Sequence, residues 1–275
     1  MKQHVLTIAI IILMAAGVKA QSSRFSIGAG YQRTWIVDAQ ASPLKYQTSE
    51  KSFLLRYLHE GKKGKLDAAL TGSFGDFFPT GFQNRIWYNP GYNANGTPKK
   101  DSNLLVGQFY NARLNIGYAK AVSAGHFLSK DATTKTYAGA SLNNQLFYSD
   151  NIVRAGWLNA ATVNADLSHS ISYRAKHSLL VKLSIPLFGV NSRLPYHNTI
   201  SSPRPEADIK TFFKKGSRFA SLVNFQNLQL SASYEYAVSK KLALGLHYSG
   251  QWLRYEHEKP ITLFQNNIGV MASFK

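Results

Sequence analysis

The sequence predicts an all-β fold: a transmembrane antiparallel up-and-down β-barrel of about ten strands. Three observations carry this. Apolar and polar residues alternate with the two-residue period of a strand through one segment after another, and after residue 20 no stretch reaches the roughly 20 apolar residues of a membrane-spanning helix. Short and long connections alternate for most of the chain. The last stretch, 261–275, reads ITLFQNNIGVMASFK, with Ile268, Val270, Ala272 and Phe274 on one parity against Gly269, Ser273 and Lys275 on the other. It stops on an aromatic without a polar tail, as a last strand closing against the first has reason to do.

Residues 1–20 are expected to lie outside the fold. Lys2 and His4 precede an apolar run from Val5 to Val18, and Val18-Lys19-Ala20 offers small residues for cleavage, the pattern of a secretory signal peptide. The domain then begins at Gln21 and occupies 21–275. The chain has no cysteine, which excludes a disulfide framework and a lipid-anchored cysteine. Of its 32 Lys and Arg, two lie in the signal segment, leaving 30 against 14 acidic residues, a formal excess of 16. Such a balance often marks nucleic-acid binding, but an exported chain rarely meets nucleic acid, so small anions or solvated lysines in turns are the expected reading.

The expected strands follow in order. The first, 24–37, sets Phe25, Ile27, Ala29, Tyr31, Trp35 and Val37 on one face, broken by Arg33; loop 38–50 follows. The second and third, 52–60 and 65–75, flank a tight turn at Gly61–Gly64, where glycine is expected to supply a positive φ. The stretch 76–102 holds Pro79, Pro90 and Pro98 and reads as a long loop. Strands at 103–121, 134–148 and 155–174 come next, then a turn at Ala175–His177 and a seventh strand at 178–188. Pro186 has no N–H for a ladder and is expected near a rim, where pairing has ended. A long loop at 191–216 precedes an eighth strand, 218–237, whose apolar parity shifts between Phe225 and Leu228, predicting a bulge. The ninth strand, 242–255, follows a tight turn at Ser239–Lys241.

An even strand number puts both termini on one side, here the periplasm, and the long loops 38–50, 76–102 and 191–216 outside. With that orientation Phe25, Tyr57, Tyr118, Tyr173, Tyr236 and Phe274 fall near one rim of the apolar face. Trp35, Phe53, Phe74, Tyr148, Trp157 and Trp252 fall near the other, with aliphatic residues between. Two aromatic girdles around an aliphatic band are what a bilayer selects. On the signal peptide, the ten-strand pattern and the Phe274 ending, the whole mature chain resembles the outer-membrane β-barrel proteins of Gram-negative bacteria. Gln21 after the cleavage site and the terminal Phe-Lys resemble chains of the Bacteroidota. The resemblance implies integral insertion in the outer membrane, with outer-membrane lipid and lipopolysaccharide as partners.

The polar face is expected to line a lumen holding Arg56, Glu60, Asp67, Arg113, Asp166, Arg174, Lys182, Glu235 and His247. Ten strands enclose little space, so these groups should pair as a cross-linked polar core or leave a narrow, anion-favouring path. His247 and Ser249 are the candidate catalytic pair. Two apart on a strand, they point the same way, and an imidazole can activate a hydroxyl. The pair resembles the His-x-Ser of outer-membrane phospholipases and lipid A deacylases, but Gly250 stands where their Asn follows, and parity turns both residues inward, away from lipid. No metal-ligand cluster, cofactor motif or phosphate loop is evident. The rings of stretch 76–102, namely Phe77, Phe78, Phe82, Trp87, Tyr88 and Tyr92, are candidates to plug the mouth or to bind a sugar, peptide or protein partner. Two functions stand open: a non-enzymatic barrel serving as a narrow pore or as a surface interaction and scaffold protein, and a lipid-modifying hydrolase using His247 and Ser249.

Overall fold

The computed structural model describes residues 22–61, 63–83, 86–92, 97–104, 106–126, 131–150, 155–194 and 205–275, with the backbone alone at 22, 86–92, 98–104, 126 and 205–208. The expected signal peptide lies outside the described residues. Thirteen strands are described. β1 (Ser22–Asp38), β2 (Lys45–Glu60), β3 (Gly64–Pro79), β6 (Gly107–His126), β7 (Ala132–Asp150), β8 (Leu158–Tyr173), β9 (His177–Arg193), β11 (Phe225–Ala237), β12 (Leu242–Tyr255) and β13 (Ile261–Phe274) pair in antiparallel succession. β8 pairs with β9 and β13 pairs with β1, so these ten strands close a barrel. β10 (Ser217–Ser221) extends the wall along the end of β9. β4 (Ile86–Tyr92) and β5 (Pro98–Leu104) form a separate hairpin.

The register of β1 against β13, Phe25 opposite Phe274 through Asp38 opposite Ile261, puts both ends of the described chain at one end of the barrel. Connections at this terminal end are short: 61–63, 127–131, 174–176 and 238–241. The opposite, loop end carries 39–44, the β4–β5 hairpin, and the long excursion after β9 that contains a helix, α1 (Pro205–Lys214).

Strand period sorts the side chains by wall face. On β13, Ile268 is 62% exposed and points outward, and on β7 Leu142 is 64% exposed while its neighbour Asn143 is 2% exposed. Apolar outside and polar inside is the reverse of a water-soluble fold and matches a bilayer solvent. The twelve girdle aromatics all stand on the outward face, each exposed or half-buried. No described helix is long and apolar enough to cross a membrane.

Several sequence expectations need correction. β2 begins at Lys45, inside the expected loop 38–50, because Tyr46, Thr48 and Glu50 continue its inward face and pair it to β1. The expected loop 76–102 holds the end of β3 and the whole of β4. Pro186 does not sit at a rim: it lies inside β9, opposite Asn164, where the β8–β9 register slips by one residue. A bulge accommodates a residue that cannot donate. β11 contains no bulge; Phe225 faces inward and Leu228 outward in unbroken alternation, and the interruption comes earlier, at 222–224. Gly64 answers a close approach rather than a positive φ, since an added Cβ would meet the Tyr118 side chain and the Ala119 carbonyl. Positive φ occurs instead in the 174–176 turn, at Arg174 (49°) and Ala175 (53°).

Ile268→Arg, near the middle of β13, should lower the stability of the protein folded into lipid vesicles by about 2–4 kcal/mol, measured by urea titration, while Ile268→Leu should change it little.

Candidate functional site

The lumen is filled in three layers. At the loop end fourteen buried residues form an apolar plug, among them Ile36, Phe109, Phe147, Leu158, Leu253 and Leu263. Its rings run across four adjacent strands: Tyr46 stacks on Phe77 at 5.0 Å, Phe77 on Phe109 at 5.3 Å, and Phe109 meets Phe147 at 6.1 Å. Each comes from an inward position at the loop end of its strand, where the polar face gives way to an apolar residue: Gln145 is followed by Phe147, Gln251 by Leu253, Asn111 is preceded by Phe109, and Gln265 by Leu263.

A buried ion pair latches the loops over this plug. Asp38 and Arg193 pair with both side chains 4% exposed. Asp38 Oδ2 also accepts the Gly156 N–H at 2.9 Å, and Arg193 donates to the carbonyls of His257 (3.3 Å) and Lys259. The latch thus joins the ends of β1 and β9 to the loops before β8 and after β12.

The middle layer is polar. Arg56 binds Asp67 through two bonds, 2.8 and 2.9 Å, and Lys182 pairs with Asp166 at 2.9 Å and donates to Asn115 at 3.3 Å. Glu50, fully buried, accepts from Gln32 (2.7 Å), Thr34 (2.7 Å), Thr48 and Ser73, all neutral donors. Arg113 donates to the side-chain carbonyls of Gln251, Gln229 (3.4 Å) and Gln265 (3.4 Å), from β12, β11 and β13 across the lumen. Between these groups lies a cavity of about 110 Å³. Towards the terminal end Arg24 pairs with Glu235 at 2.8 Å, and Glu60 takes Lys135 at 3.2 Å and the Tyr137 hydroxyl. This neck leaves about 30 Å³ before a vestibule of about 650 Å³ at the terminal mouth.

The expected lumen residues divide accordingly. Arg56, Asp67, Arg113, Asp166, Lys182 and His247 meet in the middle layer, and Glu60 and Glu235 stand at the neck. Arg174 is outside the lumen: it sits in the 174–176 turn, its side chain 65% exposed and 3.5 Å from Asp131, because the chain has already reversed there. His247 and Ser249 both line the middle cavity. Neither has a described hydrogen bond to the other. Arg56 and Arg113 line the same cavity as the imidazole, and the carboxylates that would orient it, Glu235 and Asp166, are engaged by Arg24 and Lys182. Of the six candidate rings of 76–102, Phe77 belongs to the plug, Phe78 is half-buried on the other face of β3, Phe82 is half-buried after its end, and Trp87, Tyr88 and Tyr92 stand on β4 with side chains outside the described residues. No group of three or more metal-ligating acids and histidines occurs among the described residues.

No protein-family model matches the chain, and no curated protein matches it in sequence. Solved structures do resemble it. The outer membrane protease OmpT from Escherichia coli aligns over 93% of this chain and 97% of its own, at 9% identity and a TM-score of 0.50. Neisserial surface protein A aligns over 93% and 99%, at 8% identity and 0.34, and Ail of Yersinia pestis over 92% and 100%, at 9% and 0.32. The closed antiparallel barrel, its outward apolar belt and the fold shared with OmpT make this chain an integral outer-membrane β-barrel protein.

Removing one partner of the latch leaves a buried charge uncompensated. Asp38→Ala should cost about 3–5 kcal/mol, seen as a lower urea midpoint, while the double change Asp38→Leu with Arg193→Met should recover most of the loss.

Proposed function

We propose that the protein is a non-conducting outer-membrane anchor that presents its loop end at the cell surface to a protein or glycan partner. The apolar plug carries this reading. Water and ions need a continuous polar path, and a layer of stacked rings and aliphatic side chains across the loop end interrupts it. The vestibule lies at the terminal mouth, on the side of the polar cavity away from the plug, which suits a filled support better than a pore.

The orientation follows the asymmetry of the connections: short turns belong in the periplasm and long excursions outside. On this reading the described termini lie in the periplasm and the β4–β5 hairpin, with Trp87, Tyr88 and Tyr92 in its first strand, is the main contact element at the surface. Lipopolysaccharide is a fitting neighbour for the wall, because Arg33 and Lys51 interrupt the outward face beside Tyr31 and Trp35, where lipid phosphates would be met. His247 and Ser249 face the closed lumen, so lipid hydrolysis is not part of this reading.

Planar bilayers test it. The wild type should show no discrete conductance steps, whereas Phe77→Ala combined with Phe109→Ala should produce them by thinning the plug. Steady channel openings from the wild type would overturn the proposal in favour of a narrow pore.

A further inference from the structure

We propose that the middle cavity is a binding site for one small anion, held by Arg113 and Gln229. Among the described ionisable groups of the middle layer, Arg56 is matched by Asp67 and Lys182 by Asp166. Arg113 is matched by none: its described partners are three neutral amides. A guanidinium enclosed in a low-dielectric barrel without a counter-charge is costly, and an anion in the adjoining space removes that cost. Among the described residues two other lumen groups have no ion-pair partner: Lys65, at the neck, which donates to Ser168 at 2.8 Å, and Glu50. Glu50 is enclosed by its own four donors and shares no hydrogen bond with Arg113.

Hydrogen-bonding capacity points the same way. Arg113 Nε and Gln229 Nε2 are buried without a partner, and both residues line the cavity. Gln229 offers its carbonyl to Arg113, which leaves its amide N–H groups free to donate. The unpartnered atoms of these two cavity-lining residues are therefore both donors, the complement of a ligand that only accepts. Ser231 and Ser249 add hydroxyls that can rotate to donate. His247 also lines the cavity and lies near two cations, so a negative ligand relieves that crowding as well.

Size and access agree. A water needs roughly 10–15 Å³ of such volume, so about 110 Å³ admits a halide or a phosphate-sized oxyanion. Gly30 and Gly269 pair across β1 and β13 and line this space without side chains. The route in runs from the terminal mouth: Arg24, Glu60 and Glu235 line both vestibule and neck, and Arg56 lines both neck and cavity. Free halide, phosphate and carboxylate share the required chemistry.

The test uses the full folded chain in detergent. Crystals soaked in sodium bromide should show an anomalous peak within hydrogen-bond distance of Arg113 Nε and Gln229 Nε2, and sodium bromide or phosphate should raise the melting temperature saturably. Arg113→Gln should lose the saturable rise. Bromide found only on surface lysines, with water alone in the cavity after bromide and phosphate soaks, would overturn the proposal, as would an undiminished rise in Arg113→Gln. If that variant fails to fold, the wild-type bromide map decides alone. None of these outcomes depends on bilayer conductance, so this site and the anchor reading stand or fall separately.

Discussion

Closure of β1 on β13 is the constraint on which everything else depends. In hydrocarbon an open sheet edge would leave a row of backbone N–H and C=O groups with nothing to bond, each costing several kcal/mol. Fourteen residue pairs, from Phe25–Phe274 to Asp38–Ile261, remove that edge. Once the ring is closed, strand parity has only two destinations, lipid or lumen, and every side chain is committed to one of them. The outward Leu, Ile and Val are then in their proper solvent, and the inward polar groups must satisfy one another in a space that ten strands keep small.

The contents of that space are graded along the barrel axis. Stacked rings occupy the loop end, an amide and ion-pair network the middle, and a ring of charged groups the terminal neck. The gradient is energetically coherent. Charges stand nearest the wide vestibule, where water can share their solvation, and apolar residues stand where the loops shut water out. The Asp38–Arg193 pair is the exception. It sits at the dry end because it bonds four separate segments and is saturated by backbone groups as well as by its partner.

The outward face was legible in the sequence because a bilayer imposes one simple rule on it, and the strand count and rim aromatics followed. The plug was not, although its signal was present. Phe147, Leu253, Leu263 and Phe109 all stand on the polar parity at the loop end of their strands, and taken singly each looks like an irregularity; Phe225 was read as a bulge for this reason. The start of β2 is hidden in the sequence because beyond the bilayer belt its outward residues, Lys45, Gln47 and Ser49, turn polar and the contrast between faces fades. α1 was missed although Pro205 begins it and Gly216 follows it, the residues that commonly bracket a helix. The pairing of lumen groups could not be read at all. Arg113 meets Gln251, 138 positions away, only because closure brings β6 and β12 to face each other, and alternation along one strand carries no information about what stands across the ring.

The handover beside Pro186 has a mechanical consequence. β9 bonds β11 as far as Ser184 and β10 from Phe188 onward, and among the described residues 185–187 have no strand partner on that side. The wall therefore has a notch at that height while the rows below it stay fully laddered. Compliance in a hydrogen-bonded cylinder concentrates at such a gap, so the upper rim, with its loops and latch, can flex as a collar without loosening the lower ring that holds the protein in the membrane.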